Sequence, residues 1–310
     1  MRIIFMGSGE VGCPVVERLL ASTQDELVAV VTQPDRPQGR KLQLAPCPVK
    51  AFVAGRAPVL TPEKCGAPDF IAQLAALQPD LIVVAAYGQF LPRALLDLPP
   101  RGVINVHPSL LPKYRGAAPI QWAVARGETE TGVSIIYLIE KMDAGDIIQQ
   151  ERWPIAPDIT AADLTHQLSA LGAELLMRAV ENIRAGNVRR MPQDNALATR
   201  APILRKTDGR LDWSQPAMEL YNRIRGFFPW PGCYFEWPRA SEKRVKVLKA
   251  ALAGGTGESG TILSADAHGM IVACGGGALR LIELQPEGKK AMTAAAFLNG
   301  ARLGRGDRLG

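Results

Sequence analysis

The sequence predicts an α/β protein in which a doubly wound, mostly parallel sheet is followed by a small β-barrel. Over the first half, short Val- and Ile-rich runs alternate with segments of helical spacing, the pattern of strands buried on both faces and covered by helices. A long amphipathic pattern then gives way to an irregular, proline-containing stretch. Short apolar runs separated by glycines fill the last part of the chain, as in small all-β units.

Arg2–Met6, Leu27–Thr32, Leu81–Ala86, Val103–Val106 and Val133–Ile139 read as strands, with Pro14–Leu20, Asp69–Leu77 and Pro119–Arg126 as the helices between them. Thr160 with Asp163 three residues on opens a further helix with a capping box, and Gly186-Asn187 stops it near Ala185. Residues 189–205, with Pro192 and Pro202, read as a linker between a domain of residues 1–188 and a second of residues 206–310. Pro216–Arg225 is a helix that ends before the rigid corner Phe228-Pro-Trp-Pro-Gly232. Cys233–Trp237, Arg244–Leu252, Gly260–Leu263, Met270–Cys274 and Leu279–Leu284 supply the strands of an OB-like barrel, and Thr293–Asn299 a last helix.

With 310 residues, 47% hydrophobic and 21% charged, the chain can bury a sizeable core. The five cysteines (Cys13, Cys47, Cys65, Cys233, Cys274) form no CxxC pair, which argues for free thiols in a reducing compartment and against a structural metal. There is no signal-peptide pattern and no run of eighteen apolar residues, so a soluble, cytoplasmic protein is expected. The net charge of +6 is unevenly placed. Residues 1–188 carry 17 Lys+Arg against 19 Asp+Glu, giving −2, and residues 189–310 carry 19 against 11, giving +8. A basic C-terminal part suits an anionic partner such as nucleic acid.

Gly7-Ser-Gly9-Glu-Val-Gly12 follows a strand and opens a helix, as in dinucleotide-binding folds. That fingerprint also needs an acid at the end of the second strand, where this chain has Val31-Thr32-Gln33. The glycines are therefore read as serving a tight turn and close helix–sheet packing. A nicotinamide-dependent reductase is disfavoured with them.

Val103-Ile-Asn-Val-His-Pro-Ser-Leu-Leu-Pro112 is the stretch richest in chemistry. Asn105 and His107 lie two apart on a strand, so both side chains leave one face at its carboxyl end. The next strand leads into Glu140-Lys-Met-Asp143-Ala-Gly-Asp146, a second polar loop. Asn, His and Asp together suit direct acyl transfer: Asn105 and protonated His107 donate to a developing oxyanion, while Asp143 orients the imidazole. From spacing alone, a histidine that merely caps a loop remains open.

Asn105-Val-His-Pro-Ser-Leu-Leu-Pro-Lys-Tyr-Arg-Gly116 with Asp143-Ala-Gly-Asp146 resembles the signature of the 10-formyltetrahydrofolate-dependent formyltransferases. The resemblance implies a Rossmann-like formyltransferase domain with Asn105, His107 and Asp143 as catalytic residues. It implies that Ser109, Leu110, Leu111 and Pro112 contact the folate, that Gln89, Phe90 and Leu91 line a pterin pocket, and that 10-formyltetrahydrofolate is a consumed co-substrate with no metal. Thr32-Gln-Pro-Asp-Arg-Pro-Gln-Gly-Arg40, Leu211-Asp-Trp213, Pro229-Trp-Pro231 and Gln285-Pro-Glu-Gly-Lys-Lys290 resemble those members that formylate methionine on initiator tRNA. The chain departs from them at Gly7-Ser-Gly-Glu-Val11, where many carry Gly-Thr-Pro-Asp-Phe. A tRNA partner is therefore expected, held by Arg36, Arg40 and Lys41 in a Pro/Gly-rich loop and by Lys206, Arg244 and Lys246, the last two on one face of a strand. A monomer is expected. Acceptors that keep the chemistry but not the tRNA are a small amine, such as a nucleotide sugar or glycinamide ribonucleotide, or water; a non-catalytic RNA-binding protein is a further alternative.

Overall fold

Strands and helices alternate from the first residue onward in the computed structural model, which describes residues 1–38, 43–237 and 243–309. In chain order the first part comprises β1 (Arg2–Gly7), α1 (Gly12–Leu20), β2 (Glu26–Val31), β3 (Arg36–Gln38), β4 (Gln43–Ala45), α2 (Pro48–Phe52) and β5 (Val59–Leu60). Next come α3 (Pro68–Ala76), β6 (Leu81–Ala85), α4 (Arg93–Leu96), β7 (Val103–His107) and β8 (Arg115–Gly116). The middle of the chain forms α5 (Pro119–Ala125), β9 (Glu130–Tyr137), β10 (Ile147–Pro154), α6 (Ala161–Ala185) and β11 (Arg200–Ala201). The rest forms α7 (Ala217–Gly226), β12 (Cys233–Trp237), β13 (Lys243–Ala253), β14 (Ile262–Asp266), β15 (Gly269–Ala273), β16 (Ala278–Pro286), β17 (Met292–Thr293) and α8 (Ala294–Ala301).

These elements form two compact units. One is built from residues 1–116, 130–154 and 165–201, the other from residues 117–129, 155–164 and 202–310. The first holds a seven-stranded sheet ordered β10-β9-β7-β6-β1-β2-β5. From β7 to β5 every pair is parallel, while β9 and β10 are antiparallel additions at the edge. The doubly wound expectation therefore holds, with one mixed edge. Ile4, Met6, Val31, Ile82, Val84 and Val103 on the strands pack against Phe70, Leu74 and Leu95 of the helices.

The opening glycines are spent on packing. A Cβ on Gly7 would lie 2.5 Å from the Phe5 ring and 2.6 Å from the Ala85 carbonyl oxygen, and one on Gly12 would lie 3.0 Å from Val49. The second strand leads into Thr32 and Gln33, whose side-chain amide donates to the Tyr87 carbonyl at 3.2 Å. No acid stands there.

Asp25, almost wholly shielded, ties the amino terminus to the last turn of α6. Its carboxylate accepts from Arg184 and from the Met1 amino group. Desolvation is the largest single influence on this carboxyl and pushes its pKa up, but the bonds from Arg184, the amino terminus and Ser22 outweigh it and hold the group below its ordinary value. A depressed folded-state pKa adds stability that is present above the ordinary carboxylate range and lost as pH falls through the folded value. Asp25→Ala is expected to cost about 3 kcal/mol at neutral pH, because it strands charges held against a shielded carboxylate. Chemical denaturation at pH 7 and pH 3 checks this: the gap between wild type and variant narrows at the lower pH.

The second unit is an antiparallel sheet ordered β12-β13-β16-β15-β14, with β17 added to β16. The expected strands are present, but among the described residues the edge strands β12 and β14 do not pair, so the sheet is open and no closed barrel forms. Val245, Val247, Leu279, Leu281 and Leu284 alternate toward a core shared with Leu220, Ile224 and Phe227 of α7 and Phe297 of α8. Early-chain residues belong here too. Ala118 and Ala125 lie in that core, and Trp122 meets Phe227 edge to face at 5.3 Å. One arm of the capping box expected at Thr160 is present, the Asp163 N–H donating to Thr160 Oγ1 at 3.2 Å, while the Thr160 hydroxyl donates to Asp163 Oδ2 at 2.6 Å.

Candidate active site

β7 is five buried residues, Val-Ile-Asn-Val-His, that end in the site. It pairs in parallel with β6 and antiparallel with β9, so both of its edges are satisfied and its side chains are held in place. Alternation sends Val103, Asn105 and His107 to one face. Asn105 is 9% exposed and His107 4%. The Asn105 amide makes no hydrogen bond to the described residues, and its polar atoms are not sealed from solvent, so it is open to a ligand.

His107 is gripped from two sides. Its Nε2 lies 3.0 Å from the Tyr114 carbonyl oxygen. A carbonyl only accepts, so Nε2 carries a proton. Its Nδ1 faces Asp143 Oδ1 at 3.7 Å. The other Asp143 oxygen accepts from the Gly116 N–H at 2.8 Å. Both partners of the imidazole sit on left-handed backbone, with φ of +63° at Tyr114 and +48° at Asp143. Non-glycine residues hold such angles at some cost, and they cluster where a side chain must be aimed.

The loop after His107 is anchored from below. Ser134 Oγ, opposite His107 in the β9 register, donates to the Ser109 carbonyl at 2.6 Å and accepts from the Leu111 N–H at 3.1 Å. Gln150 Nε2 donates to the Leu111 carbonyl at 3.0 Å. The Ser109 hydroxyl is spent on the Lys113 carbonyl at 2.7 Å. Ser109 and Leu111 are thus buried supports, while Leu110 and Pro112 are half-buried. Of the other expected folate residues, Gln89 is committed at both ends, accepting from the Cys65 N–H and donating to the Glu63 carbonyl. Leu91 is buried in the apolar cluster of the first unit, and Phe90 stands 63% exposed.

The basic residues divide. Arg36 is exposed and pairs with Glu63 at 3.3 Å. Arg40 and Lys41 lie outside the described residues. In the second unit Lys206 and Arg244 are exposed and Lys246 half-buried. Arg244 and Lys246 share a face of β13 while Val245 and Val247 turn inward, and the Arg244 guanidinium lies 4.7 Å from the Tyr234 ring centre. Arg225, by contrast, does not belong to a basic surface. It is buried, forked onto Asn222 Oδ1 at 2.8 and 3.1 Å and bonded to the Ile159 carbonyl at 3.1 Å. Arg223 likewise donates to the Asp208 carbonyl.

Several residues of the site have roles that side-chain chemistry in the sequence does not show. Tyr114 and Gly116 act through backbone atoms, and Gln193 and Thr199 lie in the irregular stretch after α6. Among the described residues no group of three or more His, Cys, Asp or Glu side chains is placed to hold a metal. Burial pushes the Cys233 thiol up to about 12 and the Cys274 thiol up to about 11, which leaves both unreactive.

Comparison with known proteins agrees with this geometry. The chain is 45% identical over 311 residues to the methionyl-tRNA formyltransferase of Geobacter metallireducens, covering 100% of this chain and 99% of that one. It is 46% identical over 309 residues to that of Myxococcus xanthus, covering 99% and 97%. Among solved structures, the sugar 3N-formyltransferase WlaRD superposes with a TM-score of 0.67 at 17% identity, over 94% of this chain and 99% of that one. HypX from Aquifex aeolicus, solved with tetrahydrofolic acid, superposes at 0.63 and 18% identity over 97% of this chain, which spans 47% of HypX. These two share the fold. The formyl transferase family matches residues 1–180 and the formyl transferase C-terminal domain residues 203–302. The chain belongs to the formyl transferase family.

Proposed function

We propose that this enzyme transfers the formyl group of 10-formyltetrahydrofolate to the amino group of methionyl initiator tRNA. The observation that carries the chemistry is the delivery by β7 of Asn105 and His107 to one buried face, with Asp143 3.7 Å from the imidazole. The amine attacks the formyl carbon. A new C–N bond forms, the bond to the folate N10 breaks, the amine loses a proton and N10 gains one. The Asn105 amide and the Nδ1–H of protonated His107 donate to the oxyanion of the tetrahedral adduct while Nε2–H stays on the Tyr114 carbonyl, and the Asp143 carboxylate, 3.7 Å from Nδ1, steadies the imidazolium by its charge. Of the three side chains expected at the pterin, Phe90 is the one left exposed to meet a flat ring. Ser109 and Leu111 hold the loop on which Leu110 and Pro112 are presented.

The acceptor follows from the whole-length likeness to methionyl-tRNA formyltransferases and from the +8 of residues 189–310. Lys206, Arg244 and Lys246 suit phosphates, and Arg36 is held only by an exposed ion pair of small worth, easily exchanged for a phosphate. Arg40 and Lys41 are proposed as further tRNA contacts. No helix is long and apolar enough to cross a membrane among the described residues. Action as a monomer in the cytoplasm completes the reading.

Assay of the purified protein with 10-formyltetrahydrofolate and either methionyl initiator tRNA or an amino sugar nucleotide decides the acceptor. Formylation of the sugar but not the tRNA rejects the reading. Arg244→Ala with Lys246→Ala is expected to lower the slope of log affinity for tRNA against log salt by about 1.5, since each phosphate contact contributes roughly 0.7–0.9. The rate at saturating tRNA should stay within about twofold, because phosphate contacts position the substrate and do no chemistry. Filter binding across a salt series measures the slope.

A further inference from the structure

The stretch after α6 looks like a tether in sequence, yet it holds both partners of His107. Gln193 is the centre of one arm. Its Nε2 donates to the Asp143 carbonyl at 2.8 Å and to the Gly145 carbonyl at 2.7 Å. Its Oε1 accepts from Arg115 Nε at 3.1 Å and Nη2 at 2.7 Å. Both ends of the amide are thereby fixed, since a guanidinium can only donate and two carbonyls can only accept. Arg115 also donates to Asn195 Oδ1 at 2.9 Å. Thr199 is the other arm. Its Oγ1 accepts from the Tyr114 N–H at 2.9 Å, and its carbonyl accepts from the Arg115 N–H at 2.9 Å.

Each arm thus fixes one side of the imidazole. Tyr114, whose carbonyl receives Nε2, is held by Thr199; Asp143, whose carboxylate faces Nδ1, is held by Gln193. Asp143 and Tyr114 are also the two left-handed residues beside the histidine, and a strained conformation persists only where its surroundings over-determine it. We propose that Gln193 is a positioning residue for formyl transfer, acting through Asp143, with Thr199 its counterpart through Tyr114. Neither touches the reacting atoms. This assignment rests on the formyl-transfer reading of the site.

The test is a double-mutant cycle of Gln193→Ala and Asp143→Ala in formylation of methionyl initiator tRNA, with kcat and KM determined separately. Gln193→Ala should lower kcat by about 30-fold, since a misplacement of the order of 1 Å can cost up to 10²-fold. KM for both substrates and the melting temperature should change little. In the Asp143→Ala background the same change should cost less than about twofold, because residues acting as one unit are not additive. A full multiplicative loss in that background, or a loss confined to KM or to melting temperature, overturns the proposal. Gln193→Glu keeps the contact with Arg115 but sets an acceptor against two carbonyls, and should reproduce the kcat loss; activity like wild type overturns it. If the wild-type protein formylates no acceptor, the reading of the site fails instead. The positioning role is then decided by the His107 imidazole resonances in NMR, which shift in Gln193→Ala if it holds and stay unmoved if it does not.

Discussion

Replacing His107 by alanine is expected to lower the single-turnover rate of formyl transfer by about 10³-fold, within the range that positioned proton donors and oxyanion donors supply. The setting of the imidazole favours this outcome: Nε2 donates to the Tyr114 carbonyl at 3.0 Å, and Nδ1 faces the Asp143 carboxylate at 3.7 Å. A 10³-fold loss corresponds to about 4 kcal/mol of transition-state stabilisation. Stability should suffer less, by about 1–3 kcal/mol for a buried carbonyl left without its donor. Retained tRNA binding by filter assay, with the rate lost, distinguishes chemistry from collapse. A variant that keeps more than a tenth of the wild-type rate would remove His107 from the catalytic role.

His107 was legible in sequence because an apolar strand interrupted by Asn and His is an unusual thing to bury. The glycine motif was correctly read as packing, since the missing acid is a local feature and the clash of a Gly7 Cβ with Phe5 is a local clash. Other elements escaped for physical reasons. β10, Ile147–Pro154, has only its first two residues buried and then alternates half-buried with exposed positions along a sheet edge, and so resembles a polar loop. α2 and α4 have five and four residues, too few to show a period. The +8 of residues 189–310 includes Arg225, whose charge is buried: composition cannot reveal that Asn222 and a carbonyl receive its guanidinium. Gln193 was invisible for a similar reason: what it does depends on Arg115 and Asp143, 78 and 50 residues away. The open sheet of the second unit differs from the barrel expected because strand spacing reports how many strands exist, not whether the edge strands meet.

Gly145→Ala is expected to be nearly as damaging as loss of the histidine, by a different route. A Cβ there would lie 1.8 Å from the Tyr137 carbonyl oxygen. That oxygen belongs to backbone at the end of β9, where the Tyr137 N–H is bonded to the Asp146 carbonyl at 3.0 Å, so it cannot yield as a side-chain tip would. The loop from Leu138 to Asp146 must shift by more than an ångström, and Asp143 goes with it. The rate should fall by about 10²-fold, with a stability loss of about 2–3 kcal/mol from overpacking. Gly300→Ala is the control. No atom lies within 4 Å of its would-be Cβ, it sits within α8, and alanine there should stabilise by about 0.5–1 kcal/mol. Melting curves and single-turnover rates for the pair separate steric exclusion from any general cost of losing glycine.

The residues of α5 belong to the core of the second unit although about ninety residues separate them from α7. During synthesis Trp122 leaves the ribosome long before Phe227, its eventual ring partner. Until α7 arrives, that apolar face waits uncovered, and pairing at such sequence distance is slow to form. An isolated piece beginning at residue 202 would in turn lack part of its own interior. The nascent chain therefore cannot finish its units one after the other, and the interval between the two helices is when a chaperone has something to hold.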